Sequence, residues 1–319
     1  MNIRNNLFFY GTSELSQDAF ICYLLSFAME EYKSNDKELS KCAKELLINM
    51  GIDDEIFHIE LKRQYKKIDI LVEVNKKYNI IIEDKTFTSQ SNGQINKYKR
   101  ILEEEGRENI MCVYYKIIEQ AKPEEGVINI TRKELLNIFR KYKTNDKIFN
   151  NYVEYLEWID KDVNSYKNLE IGNWSANSYR GFFTHLIEDN IIDKSRGYGW
   201  DYVANNSGGF MGLWWHWVNK ISSNTIIDSK YFEEIYLQIE NDIIAIKLSR
   251  NENCSDIETA EYRWKLYEYF KSKIPEFNKK IFRNGKYMTI GFINYNNENY
   301  KEKIKLLERT IINLENETI

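Results

Sequence analysis

The sequence predicts an α/β first half followed by an α+β second half, and three observations carry that reading. Between residues 16 and 142, apolar positions at helical spacing alternate with short runs rich in Ile and Val. In the second half a two-residue hairpin signal, Asn241-Asp242, joins two further strand-like runs. The 319 residues include only 2 prolines and 14 glycines against 14% aromatic content, which excludes collagen-like, linker-like or disordered material.

Taken in order, Ser16 caps a predicted helix that aligns Phe20, Ile21, Leu24, Leu25 and Ala28 on one face. A second helix is expected over 36–50, ended by Gly51. Three strands follow, over 56–64, 68–74 and 78–86, each rich in Ile or Val with short polar breaks. A helix over 91–105 stops at Gly106, a strand covers 110–115, and Thr131 caps a helix over 131–142. After a helical pattern over 146–159, the polar stretch 162–178 marks the expected boundary between a domain over 1–165 and one over 166–319. The second domain is expected to hold helices at 179–190, 257–273 and 300–314, and strands at 198–204, 209–217, 235–240, 243–248 and 288–294.

Charge and rare residues narrow the function classes. The formal net charge is -4, so any phosphate-binding surface must be local. The first ten residues carry no apolar signal segment and no apolar run approaches a membrane span, so a cytoplasmic protein without a membrane partner is expected. Four scattered cysteines with no CxxC pair, and three scattered histidines, suggest neither a disulfide framework nor a zinc cage. His58-Ile59-Glu60 imitates the HxE of a zinc deaminase but lacks its PCxxC. GxxxxGK, GxGxxG and GxSxG are all missing, which removes the usual signatures of NTP hydrolysis, dinucleotide redox chemistry and α/β-hydrolase chemistry.

The informative segment is Lys67-Ile68-Asp69-Ile70-Leu71-Val72-Glu73-Val74, then Asn75-Lys76-Lys77, then Tyr78-Asn79-Ile80-Ile81-Ile82-Glu83-Asp84-Lys85. A hairpin centred on Lys76 sets Asp69 opposite Glu83. Strand alternation puts Glu83 and Lys85 on one face and Asp84 on the other. Two carboxylates across a strand pair repel unless a cation or bulk water intervenes, and a hard divalent ion such as Mg²⁺ or Mn²⁺ satisfies both. Such an ion generates hydroxide and neutralises phosphoryl charge, while a lysine beside it positions the water or stabilises the developing charge. Downstream, Gln94 and Tyr98 lie four apart on one helical face. Lys97, Lys99 and Arg100 surround that helix, and Lys62, Arg63, Lys66 and Lys67 lead into the Asp69 strand. The result is a basic rim around an acidic centre, suited to a nucleic-acid backbone.

At these residues the sequence resembles the PD-(D/E)xK nuclease superfamily. Asp69, the Glu83-x-Lys85 pair after an apolar strand, and Gln94-x-x-x-Tyr98 match its core motifs, the last being the QxxxY element of RecB-like members. The likeness is to bacterial stand-alone members whose pattern starts with a Glu-x-x-Ser helix opening; the early element here is Glu14-Leu15-Ser16, with one residue fewer between Glu and Ser, and the likeness covers roughly residues 12–115. It implies a restriction-endonuclease-like core, a mixed central sheet flanked by helices. It further implies that Asp69 and Glu83 bind Mg²⁺ or Mn²⁺, that Lys85 assists the water, that Gln94 and Tyr98 position the backbone, and that Glu14 is a helical acidic ligand. The substrate so implied is DNA, with a role in defence against foreign DNA. One departure is Ile68, where the family pattern has proline.

Plainer readings stand beside these. Glu60-x-Lys62 is a rival ExK without the apolar lead-in or the following helix. Glu14 at a helix start also serves as a dipole partner or cap. In the second half, 210–217 reads either as a sheet core with one outer aromatic face or as a surface that stacks bases or covers a ligand. His185 and His216 read as packed or rim histidines. A different class of function therefore remains: a non-catalytic binding or sensor protein that captures a protein, nucleic acid or small ligand through its C-terminal domain. Dimerisation would suit an enzyme that cuts both strands of a duplex.

Overall fold

The computed structural model describes residues 5–84, 93–122, 125–205, 208–218, 231–280 and 284–316, excluding the side chains of Trp217 and Asn316. It divides into two compact units, Met1–Glu119 with Pro123–Asp162, and Gln120–Lys122 with Val163–Ile319. The chain is mixed α/β, with a five-stranded mixed sheet in the first unit and an antiparallel sheet in the second. Among the described residues no helix is long and apolar enough to cross a membrane.

The first unit begins with α1 (Glu14–Ser26) and α2 (Lys37–Asn49). The Asp36 side chain accepts from the backbone N–H groups of Glu38 and Leu39 to start α2, and Gly51, at φ 99°, lies just past its end. Strands β1 (Ile59–Tyr65), β2 (Ile68–Val74) and β3 (Tyr78–Asp84) form an antiparallel meander. Its first turn rests on Lys66 and Lys67, both with positive φ (52° and 75°), as a right-twisted two-residue hairpin requires. After α3 (Gln94–Glu104), β4 (Ile110–Lys116) and β5 (Ile128–Thr131) join parallel to β3, giving the order β1-β2-β3-β4-β5. A reciprocal Thr131–Glu134 capping box opens α4 (Arg132–Phe139), and α5 (Lys147–Val163) closes the unit.

Helix α1 packs on β1, β2 and β3, whereas α3 packs on β3 and β4. Phe20 of α1 stacks on Tyr152 of α5 with ring centroids 3.7 Å apart, and Phe139 of α4 meets Phe149 of α5 edge-on. Arg132 is buried among this layer, donating to the Ile117 carbonyl and pairing with Glu119 and Asp160.

In the second unit α6 (Ala176–Glu188) precedes β6 (Tyr198–Val203), β7 (Phe210–Val218), β8 (Phe232–Glu240) and β9 (Ile243–Arg250). Helix α7 (Asp256–Lys273), β10 (Tyr287–Asn294) and α8 (Tyr300–Asn316) follow, and the sheet runs β10-β9-β8-β7-β6. The expected Asn241-Asp242 turn joins β8 to β9, with Asn241 at φ 54°. Leu213, Trp215, Ile235, Leu237 and Ile239 are fully buried in one core with Phe183 of α6, Leu266 of α7 and Leu307 of α8. Gly181 permits close approach inside this unit, since a Cβ there would lie 2.1 Å from the Val163 carbonyl oxygen.

Several boundaries differ from those expected. Helix α1 starts at Glu14, so Ser13 occupies its N-cap position and Ser16 lies within the first turn. Strand β5 was not anticipated, β1 begins three residues later than expected, and β8 begins at Phe232. Unit division falls between 162 and 163, at the head of the polar stretch, with 120–122 counted in the second unit.

Candidate functional site

The β2–β3 register sets the site. Val74 pairs with Tyr78 and each rung follows to Ile70 with Ile82, where the pairing ends; Asp69 and Glu83 are the next residues on their strands, and the same register continued one step would set them opposite. Glu83 is fully buried, and Asp69 is half-buried with Gln64 Nε2 donating to its Oδ1 at 3.3 Å. Lys85, the third member of the expected set, lies outside the described residues.

Helix α3 lays its first turn against Glu83. The chain enters it through Gly93 in the left-handed region (φ 81°), a conformation that glycine takes without strain. Gln94 Nε2 donates to Glu83 Oε1 at 2.6 Å and to Tyr98 Oη at 2.9 Å. The amide orientation is fixed by chemistry, because an ionised carboxylate only accepts. Tyr98 in turn packs with Ile68, Leu71, Ile81 and Leu102. Glu83, Gln94 and Tyr98 are therefore joined directly, and Asp69 follows the last paired residue of β2, Ile70, as Glu83 follows Ile82 on β3. Glu14 stands half-buried in the first turn of α1, a place that suits a dipole partner as well as an acidic ligand.

Strand alternation separates neighbouring acids. Asp84 pairs in register with Tyr115 of β4, whose hydroxyl hydrogen-bonds that of Tyr152 on α5. Burial pushes both tyrosine hydroxyls far above their ordinary pKa, and the Asp84 and Asp18 charges add to the effect. Glu83 and Asp84 thus serve opposite faces of the sheet, as alternation predicts.

Two residues on the Glu83 side escaped the sequence reading. Tyr114 shares a rung with Glu83 and is buried, and Lys116, two residues on, is 8% exposed with its Nζ 5.9 Å from the Tyr114 ring centroid. The signal was available: a lysine ending an apolar strand, on the same alternation as Tyr114. The basic residues around the hairpin also divide. Lys62 pairs with Leu71 and so lies on the α3 face, while Arg63 pairs with Ile70 on the α1 face and its charge reaches Cys22. Lys66 is committed to Glu105, whose carboxyl is held down at about 2 by Lys66 and Tyr65, with Arg107 adding to it. Lys67, Lys97, Lys99 and Arg100 are exposed.

The donor set fits a hard divalent ion in chemistry: two carboxylates on adjacent strands, with water completing the shell, as Mg²⁺ tolerates. Among the described residues no three His, Cys, Asp or Glu side chains gather into a metal cage. Burial raises the Cys22 thiol to about 11 and raises those of Cys42 and Cys112, which makes them inert thiols rather than nucleophiles.

Both second-half histidines lie beside an acid. His185 has Nε2 2.9 Å from Tyr300 Oη and Nδ1 2.9 Å from Asp189 Oδ2. His216 is fully buried at a β-bulge with φ 61°, its Nδ1 3.2 Å from Asp193 Oδ2. In 210–216 the residues alternate, Met211, Leu213 and Trp215 facing the core and Phe210, Gly212 and Trp214 the other side. Comparison with protein-family models, with curated proteins and with solved structures finds no match to this chain.

Proposed function

We propose that the chain is a metal-dependent nuclease of the PD-(D/E)xK type that hydrolyses phosphodiester bonds, with DNA as its first substrate. The observation that carries this reading is Gln94 clamped onto the buried Glu83, on strand β3 next to the β2 strand that holds Asp69 one step beyond the last paired rung. Carboxylates so arranged on adjacent strands are poor structural choices unless a cation is their purpose. A five-stranded mixed sheet flanked by helices is compatible with a restriction-endonuclease-like core.

In this reading Asp69 and Glu83 hold Mg²⁺ or Mn²⁺, which supplies a hydroxide at neutral pH and neutralises charge on the phosphoryl oxygen. Gln94 fixes the Glu83 carboxylate by spending one N–H on it, and Tyr98 anchors Gln94 through the other. Lys85 would stabilise the attacking water or the charge that develops on the oxygens of the pentacovalent phosphorus. Lys67, Lys97, Lys99 and Arg100 give the phosphate backbone an exposed basic margin. A homodimer would present two such centres to a duplex, and defence against foreign DNA is a role that this activity serves.

The test is cleavage of plasmid, single-stranded DNA and RNA with Mg²⁺ or Mn²⁺, beside EDTA, Asp69→Ala and Lys85→Ala. Cleavage abolished by all three establishes the enzyme. If no substrate is cut and neither metal shifts the melting temperature, the catalytic reading fails. The second reading, a binding or sensor protein, rests on the face of the second sheet opposite its core, which presents Phe210 and Trp214.

A further inference from the structure

The face of the second sheet that turns away from its helices is sunken. On β8, Ile235, Leu237 and Ile239 join the core, so Tyr236, Gln238 and Glu240 point to the opposite side, yet these three are only 5–6% exposed. They floor a groove of about 700 Å³ that also includes Phe210, Trp214 and Tyr287, within the size range of small-ligand sites. The register explains its shape. Trp214 pairs with Gln238 on one side and Gly199 on the other, and its indole lies down over Gly199, where a Cβ would come within 2.8 Å of Nε1. Gln238 pairs with Ala245, whose small side chain leaves room for Lys247 to reach across to Glu240.

Hydrogen-bond accounting decides what the groove can take. Glu240 Oε1 accepts from Lys247 at 2.8 Å and from Gln238 Nε2 at 3.1 Å, and Oε2 accepts from Lys280 at 2.8 Å. Burial works to raise the Glu240 pKa, but Lys247 and Lys280 outweigh it and hold the carboxyl below its usual value. Lys247 spends a further N–H on Thr289 Oγ1 at 3.1 Å. The charged groups therefore satisfy one another. Gln238 makes only the one side-chain hydrogen bond among the described residues, leaving its amide oxygen and second N–H for a ligand.

A planar amide edge beside an indole matches a planar ring that carries adjacent donor and acceptor. Glutamine pairs with adenine in this bidentate way, and aromatic side chains stack any base. A pyranose stacks on tryptophan too, but its several hydroxyls need several polar partners, and here they are spent. The Lys247 ammonium opposes a cationic ligand of the kind aromatic cages hold, and Glu234 and Glu240 oppose a phosphate. We propose that this groove binds a single unpaired nucleobase, stacked on Trp214 and read along its edge by the Gln238 amide. The site is independent of the hairpin chemistry, and the base arrives either in a free nucleoside or nucleotide or as an unpaired base of a polynucleotide.

Calorimetric titration of the full chain with adenosine, cytidine, AMP and a single-stranded oligonucleotide tests this. Saturable binding that Trp214→Ala and Gln238→Met each weaken about tenfold or more, with Trp264→Ala unchanged, is the expected result. Binding of adenosine or AMP identifies the free-nucleotide source, whereas binding of the oligonucleotide alone identifies the polynucleotide. Tyr287→Ser, at a 59% exposed rim position, should weaken binding less than Trp214→Ala does. The proposal is overturned if no nucleoside or oligonucleotide binds at millimolar concentration, if binding survives both floor variants, or if tetramethylammonium or a pyranose occupies the groove instead.

Discussion

Gln94 spends both hydrogens of its side-chain amide within one helical turn, one on Glu83 Oε1 at 2.6 Å and one on Tyr98 Oη at 2.9 Å. The Tyr98 oxygen thus accepts, and its own hydrogen is directed elsewhere. Replacing Gln94 by Ala withdraws a donor from a buried carboxylate and is expected to cost about 1–3 kcal/mol of stability. Gln94→Glu is expected to cost more, because it sets a second carboxylate against Glu83. Tyr98→Phe, which removes the acceptor of the second Gln94 N–H together with the hydroxyl's own hydrogen, should cost about 1 kcal/mol. Denaturant unfolding of the three variants gives this ranking, and in the cleavage assay Gln94→Ala should reduce the rate by roughly a hundredfold through misplaced geometry.

The β1–β2 turn holds two lysines at positive φ, where a side chain is strained. Lys67, at 75°, is exposed and gains from replacement by glycine, so Lys67→Gly is expected to stabilise by about 0.5–1 kcal/mol. Lys66→Gly relieves similar strain but gives up the pair with Glu105, so its net change should be smaller. Thermal unfolding of the two single variants compares them directly. Equal gains would mean that the Glu105 pair contributes nothing.

Arg132 is 2% exposed and answers three acceptors: the Ile117 carbonyl at 2.7 Å, Glu119, and Asp160 at 3.2 Å. Arg132→Leu leaves the carboxylates without their cation and is expected to cost about 3–5 kcal/mol. Arg132→Lys keeps the charge but loses the planar fork, so an intermediate loss follows. Equilibrium unfolding in urea checks the order.

His216 carries the pH dependence. Burial, reinforced by the Arg196 charge, lowers its pKa below 6.5 against the opposing pull of Glu308 and Asp193. The unfolded chain binds that proton more readily, so stability is complete above about pH 6.5 and falls as pH drops through the lower folded value. His185 shifts in the same direction, again from burial first. Melting between about pH 7.5 and pH 5.5 should lose stability on acidification, and His216→Gln should flatten the slope without abolishing it. An unchanged slope would remove His216 from that account.

The hairpin was legible because a two-residue period and a short polar turn fix register without tertiary information: Asp69, Glu83 and the opposed Asp84 follow from Lys76 alone. Gln94 and Tyr98 were legible for the same reason on a helical period. Lys116 was legible only as the lysine that ends an apolar strand; its place beside Glu83 depends on β4 lying parallel to β3, a pairing between distant segments. Strand β5 has only four residues and so no period to detect. The groove was half legible: alternation in 210–217 announced an outer aromatic face, but the Glu240–Lys247–Lys280 network arises from strands meeting across the sheet.

Strand β3 is a partition with a different chemistry on each side, a carboxylate–amide clamp at Glu83 and a buried tyrosine pair beside Asp84. Its two acids differ by one methylene and sit one residue apart, so the sequence alone keeps them from trading places. Deleting a single residue from 78–82 would exchange them, thrusting each acid into the compartment built for the other. Inserting two residues into the 75–77 turn would leave both compartments as they are, because the added length is absorbed at the hairpin tip. Tolerance to length at one end of the strand and intolerance along its body would be the genetic signature of that partition.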